Sequence, residues 1–432
     1  MMGRARAPSR PVSRVRAALA LVLGSAAVAP VHALTDSNYI GMQVGERPMG
    51  MGGAYRAVSD DPSGLYYNPA GIVYAHSPNL SASVNAYHSS TTRYAQALGE
   101  SDWVRDSQEL LPNFFGTVQP LGPLTVGFSY AVPQAVREEQ AQTFTSVGGN
   151  IDYFSVNVDN SDTINQMGPS VALEVNERLS LGGTVYMHQR EQKTILTQVA
   201  RLGGPQEEPD NAHEVLNTYT TREEMGLKWI MGAVLSVTER VALGLTVSGT
   251  SILNATNSSQ ALCHGSSEGD ETLYEGNDLC HRGKVVFQDR VENGARHSYP
   301  MEFGAGLAWF ASPRLLLSGD MTYYTAVDGR LAVVNYAAGG EYYLGPDWAI
   351  RAGGYTNHAN TPDVETSTFT HQVDRYGMAA SVTRFSRNSS VTVGFNSGFG
   401  SGSARIIDSE QAGTQDVTTN SLTLFLATSY AY

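Results

Sequence analysis

What most limits the folds open to this chain is a period-two alternation, carried by segments of about ten residues that recur along most of its 432 residues. In each segment one parity is apolar and the other small or polar, as in a strand with one greasy face. LSLGGTVYM sets Leu179, Leu181, Val185 and Met187 on one face and follows VALEV across Asn176-Glu177-Arg178. LKWIMGAVLSV (Leu227, Trp229, Met231, Ala233, Leu235, Val237) turns at Thr238-Glu239-Arg240 into VALGLTV (Val241, Leu243, Leu245, Val247). MEFGAGLAWF (Met301, Phe303, Ala305, Leu307, Trp309) turns at Ser312-Pro313 into LLLSGDMTYY (Leu315, Leu317, Met321, Tyr323). Each pair reads as a hairpin closed by a tight turn.

Tight turns alternate with long polar connections, the asymmetry of an outer-membrane barrel with short periplasmic turns and long external loops. The pattern predicts an all-β fold: a transmembrane antiparallel β-barrel of about 14 strands over residues 79–432. The strands are expected near 79–88, 112–120, 123–133, 163–175, 179–190, 223–237, 241–252, 298–311, 314–325, 331–344, 348–356, 372–384, 389–398 and 420–432. An even count suits a single-chain bacterial barrel. The end, SLTLFLATSYAY, places Leu422, Leu424, Leu426, Thr428, Tyr430 and Tyr432 on one face, as a closing strand with girdle aromatics would. The competing reading is an edge strand of a soluble sandwich. No run of 18 apolar residues exists, so no helix can cross a bilayer, and a closed barrel is the remaining spanning solution. Gly numbers 44, Tyr 22 and charged residues 16%, which favours one large β-structure over two or three soluble domains.

The first 33 residues read as a secretory signal: Arg4, Arg6, Arg10, Arg14 and Arg16 precede the apolar run AALALVLGSAAVA. Cleavage after Val31-His32-Ala33 would make Leu34 the first mature residue. That removes five basic and no acidic residues and takes the formal net charge from −13 to −18. Phosphate-backbone binding needs clustered Lys and Arg, so nucleic acid is excluded as a partner.

Residues 34–78 do not alternate: LTDSNYIGMQVGERPMGMGGAYRAVSDDPSGLYYNPAGIVYAHSP. They are too many and too apolar for a tail. Gly50, Gly52 and Gly53 permit close backbone approach, Asp60-Asp61-Pro62 signals a turn or helix start, and Asn68-Pro69 a break. A fourteen-stranded lumen is wide enough to need filling, and this segment is the obvious filler.

Met49-Gly50-Met51-Gly52-Gly53-Ala54-Tyr55, followed by Asp60-Asp61-Pro62-Ser63-Gly64-Leu65-Tyr66-Tyr67-Asn68-Pro69-Ala70-Gly71, resembles the hatch of the FadL/TodX-type outer-membrane transporters of long-chain fatty acids and other hydrophobic compounds. The resemblance implies an N-terminal hatch, or plug, inside the lumen of a fourteen-stranded barrel in the Gram-negative outer membrane. It also implies capture of a hydrophobic molecule by the external loops, passage to a lumen pocket, and movement when the hatch shifts. Release would be lateral, through a gap beside an inward-kinked strand. Asn68, Pro69 and Ala70 would form the hatch contact, with Pro69 fixing the bend, and Gly50, Gly52, Gly53 and Gly71 complete the hatch and gating set. The rival is a non-transporting structural or secretion-partner barrel with an inert plug. An open hydrophilic porin is disfavoured by the long apolar segment.

Residues 89–111 read as the first long loop, where Trp103, Leu110 and Leu111 are candidates for ligand capture or for simple loop packing. Cys263 and Cys280 both fall in the longest loop, 253–297, and a disulfide between them would close about 17 residues. His264 and His281 follow them, so a Cys2His2 metal site is the alternative, though the spacing is not that of a zinc finger. The acidic run Glu268, Asp270, Glu271, Glu275 and Asp278 lacks EF-hand spacing. No metal, cofactor or catalytic site is assigned, and no enzyme is expected. The partners expected are hydrophobic small molecules, outer-membrane lipid and the barrel-assembly machinery, with a monomeric chain.

Overall fold

The computed structural model describes residues 37–75, 78–98, 101–148, 151–202, 213–265, 285–287, 290–362, 364, 370–405 and 414–432. The predicted signal, residues 1–33, lies outside them. Fourteen long strands follow one another in the order of the chain: β1 (Asn79–Leu98), β2 (Ser101–Leu121), β3 (Leu124–Gly148), β4 (Ile151–Asn176), β5 (Leu179–Leu202), β6 (His213–Thr238), β7 (Val241–Gly265), β8 (Glu302–Ser312), β9 (Leu315–Tyr324), β10 (Val333–Tyr343), β11 (Trp348–Asn357), β12 (Thr370–Phe385), β13 (Ser389–Arg405) and β14 (Gln415–Ala431). Each pairs antiparallel with its neighbours. The ring closes where β14 meets β1, from Asn79↔Ala431 to Tyr94↔Val417. Two three-residue segments, Val285–Phe287 and Val291–Asn293, add to the edge of β7 beyond the membrane. Among the described residues no helix is long and apolar enough to cross a bilayer.

The alternation of the sequence becomes the two faces of the wall. Leu181, Val185, Met231, Leu245, Leu307, Leu424 and Tyr432 point outward and are exposed, whereas Ser129, Thr184, Gln192 and Thr392 point into the lumen and are buried. A backbone with no water at the membrane midplane can meet its hydrogen bonds only in such a closed ladder.

The strand ends differ from expectation on one side. The turn ends lie close to the predicted positions, but β2 to β7 run 21 to 26 residues. The predicted loop 89–111 is mostly the upper part of β1 and β2, and residues 253–265 belong to β7, not to the loop. The cause is legible on β5, whose outward face changes from Leu181, Val185 and Met187 to Gln189 and Glu191. Above the hydrocarbon core both faces meet water, so the apolar parity disappears while the ladder continues.

The hatch lies inside. It holds two short helices, α1 (Glu46–Gly50) and α2 (Gly64–Tyr67), and a 3-10 turn, Pro69–Tyr74, that leads down to β1. Asp61 Oδ1 accepts the N–H of Ser63 at 2.7 Å at the start of α2, as the Asp-Pro signal requires. Asn68 is extended (φ −156°, ψ 98°) and Pro69 opens the 3-10 turn, so the Asn-Pro break is a sharp redirection of the chain.

Candidate functional site

The hatch descends from the external rim. Ser37 and Asn38 sit against β11 and β12, where Asn38 Nδ2 donates to the carbonyls of Asn357 (2.9 Å) and Val373 (3.1 Å) and Ser37 bonds His371. Asn357 Nδ2 returns a bond to the Ile40 carbonyl at 2.7 Å. Residues 38–42 then cross the lumen, and Met42 N–H donates to the Pro133 carbonyl of β3 at 2.7 Å. Asn113 of β2 takes the next step, donating to Gln43 O (2.8 Å) and accepting from Gly45 N–H (3.1 Å).

Below this bridge the plug packs backbone against backbone. Asn68 is fully buried. Its Nδ2 donates to Arg56 O (2.8 Å) and to the wall carbonyl Ala233 O (3.1 Å), while Oδ1 accepts from Ala70 N–H (3.2 Å). Contact this close is possible because the facing wall positions are glycines. A Cβ on Gly182 would lie closer than 3.0 Å to Pro69 and Ala70, one on Gly232 closer than that to Asn68, and one on Gly353 closer than that to Met51. Gly52 and Gly53 turn the hatch with φ of +65° and +87°, a conformation that L side chains rarely adopt. Gly50 approaches Ser381 for the same steric reason, and Gly71 lies against Ser59 within the hatch. Gly50, Gly52, Gly53, Asn68, Pro69, Ala70 and Gly71 are thus brought into one plug.

Two arginines tie the plug to the wall. Arg56 pairs with Glu302 (2.5 Å) and donates to Thr246 (2.6 Å) and Thr322 (3.1 Å), while Asp320 Oδ2 accepts the backbone N–H groups of Tyr55 and Arg56, both at 2.9 Å. Arg47 pairs with Asp60 of the hatch and with Glu341 of β10 at 2.7 Å. Glu341 is held in turn by Arg351 at 2.7 Å. Burial pushes the Asp61 carboxyl up to about 6, against the pull of Arg47, with Asp60 and Glu46 adding to the rise. None of these partners was predicted. Arg47, Glu341 and Arg351 carry no local motif, and only the fold brings them together.

Between bridge and plug lies a cavity of about 190 Å³. Seven tyrosines line it, among them Tyr39, Tyr66, Tyr324 and Tyr355. The ring is amphipathic: aromatic faces for an apolar ligand, phenols for a polar end. Lys228 also faces this space, its Nζ 5.2 Å from the Tyr66 ring centroid, where the ring's negative face favours a cation.

Beside the bridge the wall is interrupted. The β2–β3 ladder runs from Leu121↔Leu124 up to Phe114↔Ala131 and next pairs at Ser107↔Glu138. Residues 108–113 and 132–137, which the register would pair, do not. Each strand carries a bulge there. On β3 the register against β4 slips by one residue across Val132 and Pro133, and on β2 the register against β1 slips at Asn113. Pro112 and Pro133 have no N–H to give a ladder. The bulged residues Asn113 and Pro133 both bond the hatch, Asn113 through its side-chain amide and Pro133 through its carbonyl.

The predicted capture residues sit on β2. Trp103 stacks on Tyr94 with centroids 5.3 Å apart, so it packs within the upper barrel. Leu110 is 73% exposed on the outer face and lies, with Leu111, in the unpaired stretch. The structure therefore moves this pair from an external loop to the edge of the wall gap. Cys263 is buried near the top of β7, and Cys280 lies outside the described residues. Among the described residues no cluster of His, Cys, Asp and Glu could hold a metal ion.

The model of the family described as outer membrane protein transport protein (OMPP1/FadL/TodX) matches residues 40–279. Curated proteins give no match. Among solved structures, a Pseudomonas aeruginosa FadL homologue superposes with a TM-score of 0.63 at 14% identity, over 91% of this chain and 99% of that one. The toluene transporter TodX of P. putida gives 0.62 at 12%, and the toluene transporter TbuX of Ralstonia pickettii 0.58 at 13%, each over 91% of this chain and 99% of the other. At such identities the likeness is one of fold: a hatch-plugged barrel of the outer membrane.

Proposed function

Since this chain belongs to the OMPP1/FadL/TodX family of outer-membrane transport proteins, the family model covering more than half of it, we propose that it takes up hydrophobic compounds, long-chain fatty acids first among them, and releases them sideways into the membrane. The ligand enters from the external side and lodges in the tyrosine-ringed cavity. It leaves through the β2–β3 gap when the hatch shifts. The observation that carries this reading is the interrupted ladder, whose two bulges are the hatch's own hydrogen-bond partners.

Physical chemistry favours the lateral route. Each methylene gains about 0.8 kcal/mol on leaving water, so ten of them make release into the periplasm about 8 kcal/mol worse than release into lipid. Deleting Asn113 and Pro133, one bulged residue from each strand, and replacing Pro112→Thr keeps β2 and β3 in register and restores a donor, so the ladder can zip across the gap. In an uptake-deficient host, labelled oleate uptake is expected to fall at least tenfold at equal surface abundance. Unchanged uptake with a ladder shown by amide exchange to be complete would refute lateral release, and absence of uptake by the native protein would return the barrel to a structural role.

A further inference from the structure

The bridge of residues 38–42 divides the lumen. On its far side from the tyrosine ring lies a second cavity of about 140 Å³, which shares Ile40, Gly41, Met42, Gln134 and Tyr355 with the first. Its charged groups are few. Arg105 is ion-paired to Glu138, which also accepts from Asn160 Nδ2 at 3.1 Å. His371 is engaged by Tyr94 at 3.1 Å and by Ser37, and His88 by Thr423 at 2.7 Å.

Arg375 of β12 is the exception. Its side chain lines this cavity, its Nε is buried without a partner, and among the described residues it makes no ion pair and no side-chain hydrogen bond. The adjacent Asp374 is exposed and accepts the Ala359 N–H at 2.8 Å. One positive charge is therefore left uncompensated inside a chain whose formal net charge is −13. Guanidinium is costly to withdraw from water without an anion, and its planar fork of donors matches a carboxylate in bidentate fashion. Met42, Ala135, Val136 and Phe399 supply apolar surface to a lining that is otherwise rich in hydroxyl and amide groups. Ala135 and Val136 belong to the unpaired stretch of β3.

We propose that this compartment is a second ligand site, in which Arg375 holds the head of an amphipathic carboxylate while the apolar tail lies towards the β2–β3 gap. The site makes the channel selective for anionic amphiphiles over uncharged ones. The inference rests on the transport reading, because an inert barrel would have no ligand to place there.

The experiment compares decanoate with decan-1-ol, which differ only in the head, by equilibrium binding to the full-length protein in lipid nanodiscs. Arg375→Met is expected to weaken decanoate binding at least tenfold and to leave decan-1-ol within twofold. Arg375→Gln, which removes the charge but keeps an amide donor, reports the same ratio if the methionine variant assembles poorly, and Arg375→Lys is expected to recover part of the decanoate affinity. Native protein that binds both probes, with a ratio that no Arg375 substitution changes, would overturn this site alone. Native protein that binds neither would overturn the transport reading with it.

Discussion

Replacing Asn68→Ala tests whether the plug is held by the contacts described. The change removes a bond to the Arg56 carbonyl (2.8 Å), one to the wall carbonyl of Ala233 (3.1 Å) and one from Ala70 N–H (3.2 Å), the first and last of them buried. At about 1 kcal/mol each, the loss in hatch docking is about 3 kcal/mol, or roughly 150-fold in the undocked population. The barrel ladders lose nothing. Hydrogen exchange read by mass spectrometry should therefore show protection over residues 64–75 falling by about two orders of magnitude, with the strand peptides unchanged. Gly232→Ala presses on the same contact from the wall, since its Cβ would come closer than 3.0 Å to Asn68, and should expose the same hatch peptides. Protection within threefold of the native level in both variants would refute the reasoning. So would a loss that spreads to the strands.

Asp61 makes hatch docking dependent on pH. Because burial raises its carboxyl to about 6, the docked hatch binds a proton more tightly than a solvated one. Docking should strengthen as pH falls from about 6 towards 4, by at most about 3 kcal/mol, and weaken as pH rises through 6. Asp61→Asn keeps an acceptor for Ser63 N–H and should reduce the dependence, leaving the part due to the Asp320 carboxyl that bonds the hatch; exchange protection, corrected for intrinsic rates, that varies equally in both proteins would refute it. The thiols of Cys263 and Cys280 are expected to resist maleimide in the denatured, unreduced protein, and labelling of either would exclude their pairing.

The parts legible in the sequence are those where local chemistry decides. Period-two alternation exposes the wall because lipid and lumen demand opposite side chains at successive residues. The glycines and the Asn-Pro break mark the plug because backbone approach and a sharp bend each tolerate few residue types. The upper strands were hidden because above the bilayer both faces are polar. Predicted strand boundaries fell at Pro112 and Pro133 because proline ends a regular ladder, and here it does so within strands that continue. Arg47, Glu341, Arg351 and Arg375 lie at unrelated positions in the chain, so nothing short of the barrel register could assemble the plug's ion pairs or leave the Arg375 guanidinium in its cavity without a carboxylate.

The coupling of hatch to wall follows from what a break in a membrane ladder costs. Unpaired N–H and C=O groups facing hydrocarbon cost several kcal/mol each, so a gap across residues 108–113 and 132–137 cannot persist unless its polar groups are fewer or turned inward. Both conditions are met. Pro112 and Pro133 remove two donors, the bulged Pro133 turns its carbonyl to Met42 N–H, and Asn113 sends its side-chain amide to Gln43 and Gly45 of the hatch. The bonds that hold the chain's entry segment across the lumen are thus bonds to the two bulges that border the gap. On the transport reading, a hatch displacement cannot leave the exit untouched: losing the bonds of residues 42–45 releases the two bulges from the lumen side, so opening the plug and reshaping the lateral gap are one movement.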